Sequence, residues 1–184
     1  KNNHNIEIIN SNCQRLLRLI NNIIDIEKFD NHKLKLDLEN INIVNLIEDI
    51  ISSINPYAKS KNLRIIFDTN DEDIVMALDC AKIERVLLNL LSNAIKFSYV
   101  DGIIYVNVNK KEENVIISIR DFGIGMSEKY LDKIFDRFIQ VDNTMTRKNE
   151  GSGIGLSIVK SFVSLHNGSI SVKSKENEGS EFVI

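Results

Sequence analysis

Val86-Leu87-Leu88-Asn89-Leu90-Leu91-Ser92-Asn93-Ala94-Ile95-Lys96-Phe97 is the stretch on which the fold turns. Its apolar residues recur at helical spacing and join Ile83 in one stripe, so it reads as a helix anchored in a core. Asp79 stands at the N-cap position, and the helix is expected to run from there to about Phe97. Asn89, Asn93 and Lys96 fall at i, i+4 and i+7 and share the face away from the leucines. Amide oxygens can complete the shell of a hard Mg²⁺ ion, and a lysine offers a compact charge to phosphate oxygens. Taken alone, such a face is more often a solvated surface than a site.

Downstream, β-rich runs near 103–109 and 115–120 are joined by Lys110-Lys111-Glu112-Glu113-Asn114, which reads as a hairpin turn. Asp121-Phe122-Gly123-Ile124-Gly125-Met126 follows directly. Glycines here can mark nothing more than a turn. They also let backbone approach a ring closely, and a buried carboxylate beside them can accept the exocyclic amine of adenine. A loop-like region with a short helix near 127–135 leads to Gly151-Ser152-Gly153-Ile154-Gly155-Leu156. That run enters a helix from about Ile154 to Leu165, and glycine amides at a helix start form an anion site. No Gly-Lys-Ser/Thr follows, so it is not a P-loop, and no βαβ unit surrounds it. Asn167-Gly168 reads as the helix stop, with strands near 169–174 and from 180.

Upstream, residues 63–68 read as a strand, and Val44, Ile47, Ile50, Ile51 and Ile54 mark a helix capped by Asn42. Leu34, Leu36 and Leu38 alternate with polar residues, which predicts a short strand. Before the polar break Asp30-Asn31-His32, residues 5–29 carry Ile6, Ile9, Cys13, Leu16, Ile20 and Ile23 at 3-4 spacing, widened by Leu17 and Ile24. A stripe that broad suits a four-helix bundle or coiled coil and needs partners beyond one helix. Helices on one face of a mixed, mostly antiparallel sheet make an α+β two-layer domain, preceded by one long bundle-forming helix.

The 184 residues suffice for one ordinary domain plus one extra element. A net charge of -3 gives no reason to expect nucleic acid or an anionic membrane as partner. Neither an apolar run of about 18 residues nor a signal peptide is visible. Cys13 and Cys80, without CxxC spacing, read as reduced, small core residues of a cytosolic protein. Lys1 at the start and the mid-pattern end at Ile184 lead us to expect a piece of a longer protein.

The four motifs occur in one order over residues 86–156. Together they resemble the catalytic domain of sensor histidine kinases, in the GHKL ATPase superfamily. Val86–Phe97 is similar to its N box, Asp121–Met126 to the G1 box, Ile134-Phe135-Asp136-Arg137-Phe138 to the F box and Gly151–Leu156 to the G2 box. The resemblance implies a Bergerat-type ATP-binding fold for 32–184. For 1–31 it implies the second helix of the dimerisation and histidine-phosphotransfer hairpin. It further implies that Asn93 is the principal Mg²⁺ ligand with Asn89 assisting, that Lys96 contacts phosphates, and that Asp121 reads adenine of ATP. Phe97, Gly123, Gly125, Met126 and Leu156 would shape the nucleotide pocket, with Gly151, Gly153 and Gly155 under the phosphates. Residues 127–152 would form a lid anchored by Phe135 and Phe138, and Arg137 and Arg147 are candidate γ-phosphate contacts. Gln140 departs from the family, where a basic residue often stands.

By the same resemblance the partners are ATP, a second copy through the bundle helix, and a response-regulator receiver domain, with this part cytoplasmic in a membrane-anchored sensor. None of His4, His32 and His166 has the acceptor context of an adjacent acidic residue and a nearby proline. The acceptor is therefore expected upstream of Lys1. Two other readings stand beside this one. A hydrolytic GHKL ATPase would place a glutamate base four residues before the metal-binding asparagine, where this chain has Asn89. A non-catalytic nucleotide-binding dimerisation module is the second.

Overall fold

The computed structural model describes residues 13, 16, 17, 20–31, 33–140 and 152–184. Helix α1 is described over residues 20–30 and leads through an irregular 33–38 segment into β1 (Glu39–Asn42). Then follow α2 (Ile43–Ser60), β2 (Arg64–Thr69), β3 (Val75–Leu78) and α3 (Cys80–Phe97). The hairpin β4 (Ile103–Lys111) and β5 (Asn114–Asp121), α4 (Glu128–Leu131), α5 (Gly155–Leu165), β6 (Ser171–Lys175) and β7 (Gly179–Val183) complete the order.

The main sheet runs β2-β4-β5-β7-β6, with β2 parallel to β4 and the other pairs antiparallel. Ile104, Val106, Val108, Ile117, Ile119 and Phe182 are buried on one sheet face. Their neighbours Tyr105, Asn107, Ser118 and Glu181 are only half-buried on the other, and Arg120 is exposed. That alternation is what a sheet covered by helices on one side requires. Val86, Leu87, Leu90 and Leu91 of α3 and Ile158, Val159 and Phe162 of α5 bury themselves in the same core. The expected two-layer α+β architecture is the one observed.

Local chemistry sets the helix boundaries. Asn42 Oδ1 accepts from Val44 N–H at 3.0 Å and Asn45 N–H at 3.3 Å, capping α2. Asp79 Oδ1 accepts from Lys82 N–H at 3.1 Å, capping α3. At the end of α5, Asn167 takes the left-handed position with φ 58°, so Asn rather than Gly168 makes the turn.

Two expectations are corrected. Leu34 and Leu36 are half-buried but lie in no strand, because Asp37 N–H donates to Asp79 Oδ2 at 3.0 Å instead of to a ladder. The strand begins only at Glu39, five residues after Leu34, and pairs with β3 as a separate antiparallel ribbon, Glu39 opposite Leu78. The cysteines are free thiols but not core residues: Cys13 is exposed and Cys80 half-buried in the first turn of α3.

Helix α1 leaves Leu16, Leu17, Ile20, Ile23 and Ile24 exposed. Its other edge is seated, with Ile26 buried. Arg85 donates to Asp25 Oδ2 at 2.5 Å and Asn22 Oδ1 at 2.7 Å while stacking 4.9 Å from the Phe162 ring centroid. No described helix is long and apolar enough to cross a membrane.

Candidate functional site

Helix α3 turns Asn89, Ser92, Asn93, Lys96 and Phe97 toward a cavity of about 380 Å³. The apolar stripe of the helix fixes this rotation, so the polar face has nowhere else to point. Asn89 Nδ2 donates to the Arg85 carbonyl at 2.8 Å. Its Oδ1 is thereby presented to α5, 2.8 Å from where a Cβ on Gly155 would lie. Lys96 Nζ stands 4.8 Å from the Phe97 ring centroid. This end of the cavity, with the first turn of α5 above it, offers amide oxygens, a cation and helix-terminal amides.

The opposite end is built from the loop after β5. Ile124 N–H donates to the Phe97 carbonyl at 3.1 Å, and a Cβ on Gly123 would sit 1.9 Å from that oxygen. Gly125, at φ 58°, comes equally close to the Lys175 carbonyl. Met126 N–H donates to Ser174 Oγ at 2.8 Å, and Asn177 N–H to the Ile124 carbonyl at 2.7 Å. The loop is therefore stapled to both α3 and the β6–β7 hairpin. Asp121 is 4% exposed, and its Oδ1 accepts from Gly123 N–H at 2.9 Å. Burial pushes its carboxyl up from 3.8 to about 6, against the lowering pull of the Gly123 and Ser180 amides. A buried acceptor between Ile124, Met126 and Phe182 suits the amine edge of a planar base.

Asn89, Asn93, Lys96, Phe97, Asp121, Gly125, Met126, Gly153, Gly155 and Leu156 all line this one cavity. Gly123 supports it from behind. Phe135 does not line it but packs edge-to-face on Phe182, which does (centroids 6.4 Å apart, 88°). Phe138 is largely exposed, and its N–H donates to the Gly153 carbonyl at 2.9 Å. Arg137 lies outside the cavity, its Nη2 on both carboxylate oxygens of Asp30 at 2.5 and 2.6 Å. Gly151, Arg147, His4 and His32 fall outside the described residues. His166 is structural: its Nε2 accepts from Asp79 N–H at 3.0 Å and its Nδ1 faces the Phe162 carbonyl at 2.7 Å, tying α5 to α3.

Sequence reasoning missed Tyr57, Ser92, Ser180 and Phe182, which also line the cavity. Ser92 carried a signal, one helical position from Asn93. The other three arrive through long-range packing.

Fold and cavity together define a domain with one cavity that holds a buried carboxylate at one end and an asparagine face under a glycine-rich helix start at the other. The chain belongs to the histidine kinase-, DNA gyrase B-, and HSP90-like ATPase family, whose model matches residues 79–184. It is 36% identical over 94% of its length to the sensor histidine kinase WalK of Bacillus subtilis, covering 28% of that protein. It is 35% identical over 95% of its length to histidine kinase P4 of Formosa agariphila, covering 13% of it. The catalytic domain of histidine kinase ThkA matches 80% of this chain and 93% of its own, with a TM-score of 0.71 at 28% identity. The chain thus spans less than a third of the curated relatives named here.

Proposed function

We propose that this chain is the ATP-binding core of a protein-histidine kinase, donating the γ-phosphate of ATP to a histidine other than the three in this sequence. The observation that carries the reading is the convergence of Asn89, Asn93, Lys96, Asp121 and Gly155 on one cavity. Asp121 accepts from the adenine amine, Phe97 and Met126 border the base, and Lys96 and the Gly153–Gly155 backbone hold phosphate oxygens. Asn93 and Asn89 would hold a Mg²⁺ ion: the Asn89 amide N–H donates to the Arg85 carbonyl, which leaves its side-chain oxygen as the donor presented. Such an ion neutralises charge on the transferring phosphoryl group. The rest of catalysis is positioning, and these residues supply it. Arg137 serves as a γ-phosphate contact once it leaves Asp30.

Asn89 also favours transfer over hydrolysis, because a carboxamide cannot take a proton from water as a glutamate would. The exposed stripe from Leu16 to Ile24 is read as a dimerisation face, completed by a second copy and an acceptor-bearing helix. Onward transfer would go to a response-regulator receiver domain. We assign 1–31 to the bundle hairpin and 32–184 to the ATP-binding domain.

The test mixes the chain with γ-labelled ATP, Mg²⁺ and a separate hairpin protein carrying an acceptor histidine. Label is expected on the acceptor as an acid-labile, base-stable phosphoramidate, with none on the chain itself. Steady release of inorganic phosphate at the same rate with or without the acceptor would point to a hydrolase instead.

A further inference from the structure

Behind the nucleotide cavity lies a second one of about 470 Å³, where α1 meets the ATP-binding domain. The two share a wall. Ile134, Ile139 and Gln140 face the nucleotide side, whereas Phe135, Asp136 and Arg137, between them in sequence, face the cleft with Phe29 of α1. Arg137 lies on the cleft side, its guanidinium on both oxygens of Asp30 at the end of α1.

The pair is charge-assisted and geometrically good, yet both side chains are close to half exposed (45% and 46%). Water and salt weaken such a pair. A multiply charged phosphate held in a less solvated pocket is the stronger partner for the same guanidinium.

We propose that Asp30 is a positioning residue for Arg137, holding its guanidinium on the cleft side of the wall, from which it exchanges onto the terminal phosphate of bound ATP. The proposal rests on the reading of Arg137 as a γ-phosphate contact. It adds that the Asp30 carboxylate sets how often that contact forms. The Asp30 ion pair and engagement of the terminal phosphate then compete for one side chain, and each weakens the other by the same factor.

The experiment is calorimetric titration of the chain with Mg²⁺ and either ADP or a non-hydrolysable ATP analogue. Asp30→Asn should raise the preference for the triphosphate about two- to five-fold, the equivalent of a half-exposed ion pair, with ADP affinity unchanged. Asp30→Glu should restore the wild-type ratio. Asp25→Asn, which loosens α1 at Arg85 without touching Arg137, should leave the ratio alone. Arg137→Ala should lower the preference and make it insensitive to Asp30→Asn. If Arg137→Ala lowers the ratio while Asp30→Asn leaves it at the wild-type value, Asp30 does not position the arginine. An equal rise in Asp25→Asn would assign the effect to undocking of the helix and overturn the proposal. Should Arg137→Ala leave the ratio unchanged, the γ-phosphate reading of Arg137 itself fails.

Discussion

Glycines at the two ends of the nucleotide cavity meet different neighbours. At the base end a Cβ on Gly123, Gly125 or Gly179 would lie 1.9–2.1 Å from a carbonyl oxygen of Phe97, Lys175 or Asp121. At the end proposed for the phosphates, a Cβ on Gly153 would also meet main chain, 2.8 Å from Phe138, but one on Gly155 would meet only the tip of the Asn89 side chain, at 2.8 Å. Main chain closes the base end throughout, whereas at the first turn of α5 a rotatable side chain bounds the cavity. A base is read by a fixed pattern of donors and acceptors, so rigidity there serves selectivity. Phosphate and metal change position through a reaction, and a wall made of side chains can follow them.

The largest expected effect breaks the rigid end. Gly123→Ala cannot be absorbed by a rotamer change, because the obstructing atom is the backbone oxygen that also accepts from Ile124. Displacing the loop should cost about 3 kcal/mol, in the range of severe overpacking, and nucleotide binding should be lost with it. Urea unfolding checks this; a midpoint within experimental error of wild type would mean that α3 and the loop do not approach so closely.

Next in size is the titration of Asp121. Its folded-state value of about 6 lies above the ordinary 3.8, so the folded chain holds the proton more tightly than the unfolded one. The group's contribution to stability is therefore greatest below about pH 4 and declines as pH rises through about 6. The total is on the order of 3 kcal/mol. Nucleotide affinity should run the other way, rising through the same window as the carboxylate becomes the better acceptor for the adenine amine. Asp121→Asn should flatten both profiles, stabilise the chain above pH 6 and erode the preference for ATP over GTP. Parallel rather than opposed pH profiles for stability and affinity would mean that Asp121 does not face the base.

The contrast between α3 and α1 shows how far a sequence pattern reaches. Both carry a broad apolar stripe. That of α3 is buried and its boundaries follow from Asp79 and Phe97, so three cavity residues on that helix, Asn89, Asn93 and Lys96, were readable from spacing, whereas Phe97 came only with the family resemblance and Ser92 was missed. The stripe of α1 is exposed, because periodicity defines a face and not what covers it. Strand β3, Val75-Met76-Ala77-Leu78, lacks polar alternation and was invisible, and without it the position of β1 could not be set. Ser180 and Tyr57 reach the cavity through sheet register and helix packing, which no local spacing encodes. Arg137 was legible as part of a motif, but its partner Asp30 is 107 residues away.

At the adaptable end, Asn93→Ala should leave the fold intact, since the side chain is half-buried against the cavity and not in the core. It should weaken Mg²⁺-dependent ATP binding at least tenfold, about 1.4 kcal/mol. Titrations with and without Mg²⁺ separate the metal contribution, and equal losses in both would remove Asn93 from the metal assignment.

Gly155→Ala should be the mildest of the series, and its mildness is the point. The new methyl meets Asn89 Oδ1 at 2.8 Å and its Cγ at 3.7 Å, with no backbone atom close by. Asn89 can rotate away, giving up the 2.8 Å bond from its amine to the Arg85 carbonyl, which at a half-buried site is worth about 1 kcal/mol or less. Alanine favours the helix start slightly over glycine and offsets part of that loss. Net stability should thus shift by less than about 1 kcal/mol. Function should respond more than stability does, because the rotated amide no longer presents its oxygen and the methyl narrows the approach to the first amides of α5. ATP affinity in Mg²⁺ should fall several-fold while binding of adenosine, which engages only the base end, stays at the wild-type value. If adenosine binding falls in parallel, the two ends are not mechanically independent, and the contrast between a main-chain wall and a side-chain wall has no functional consequence.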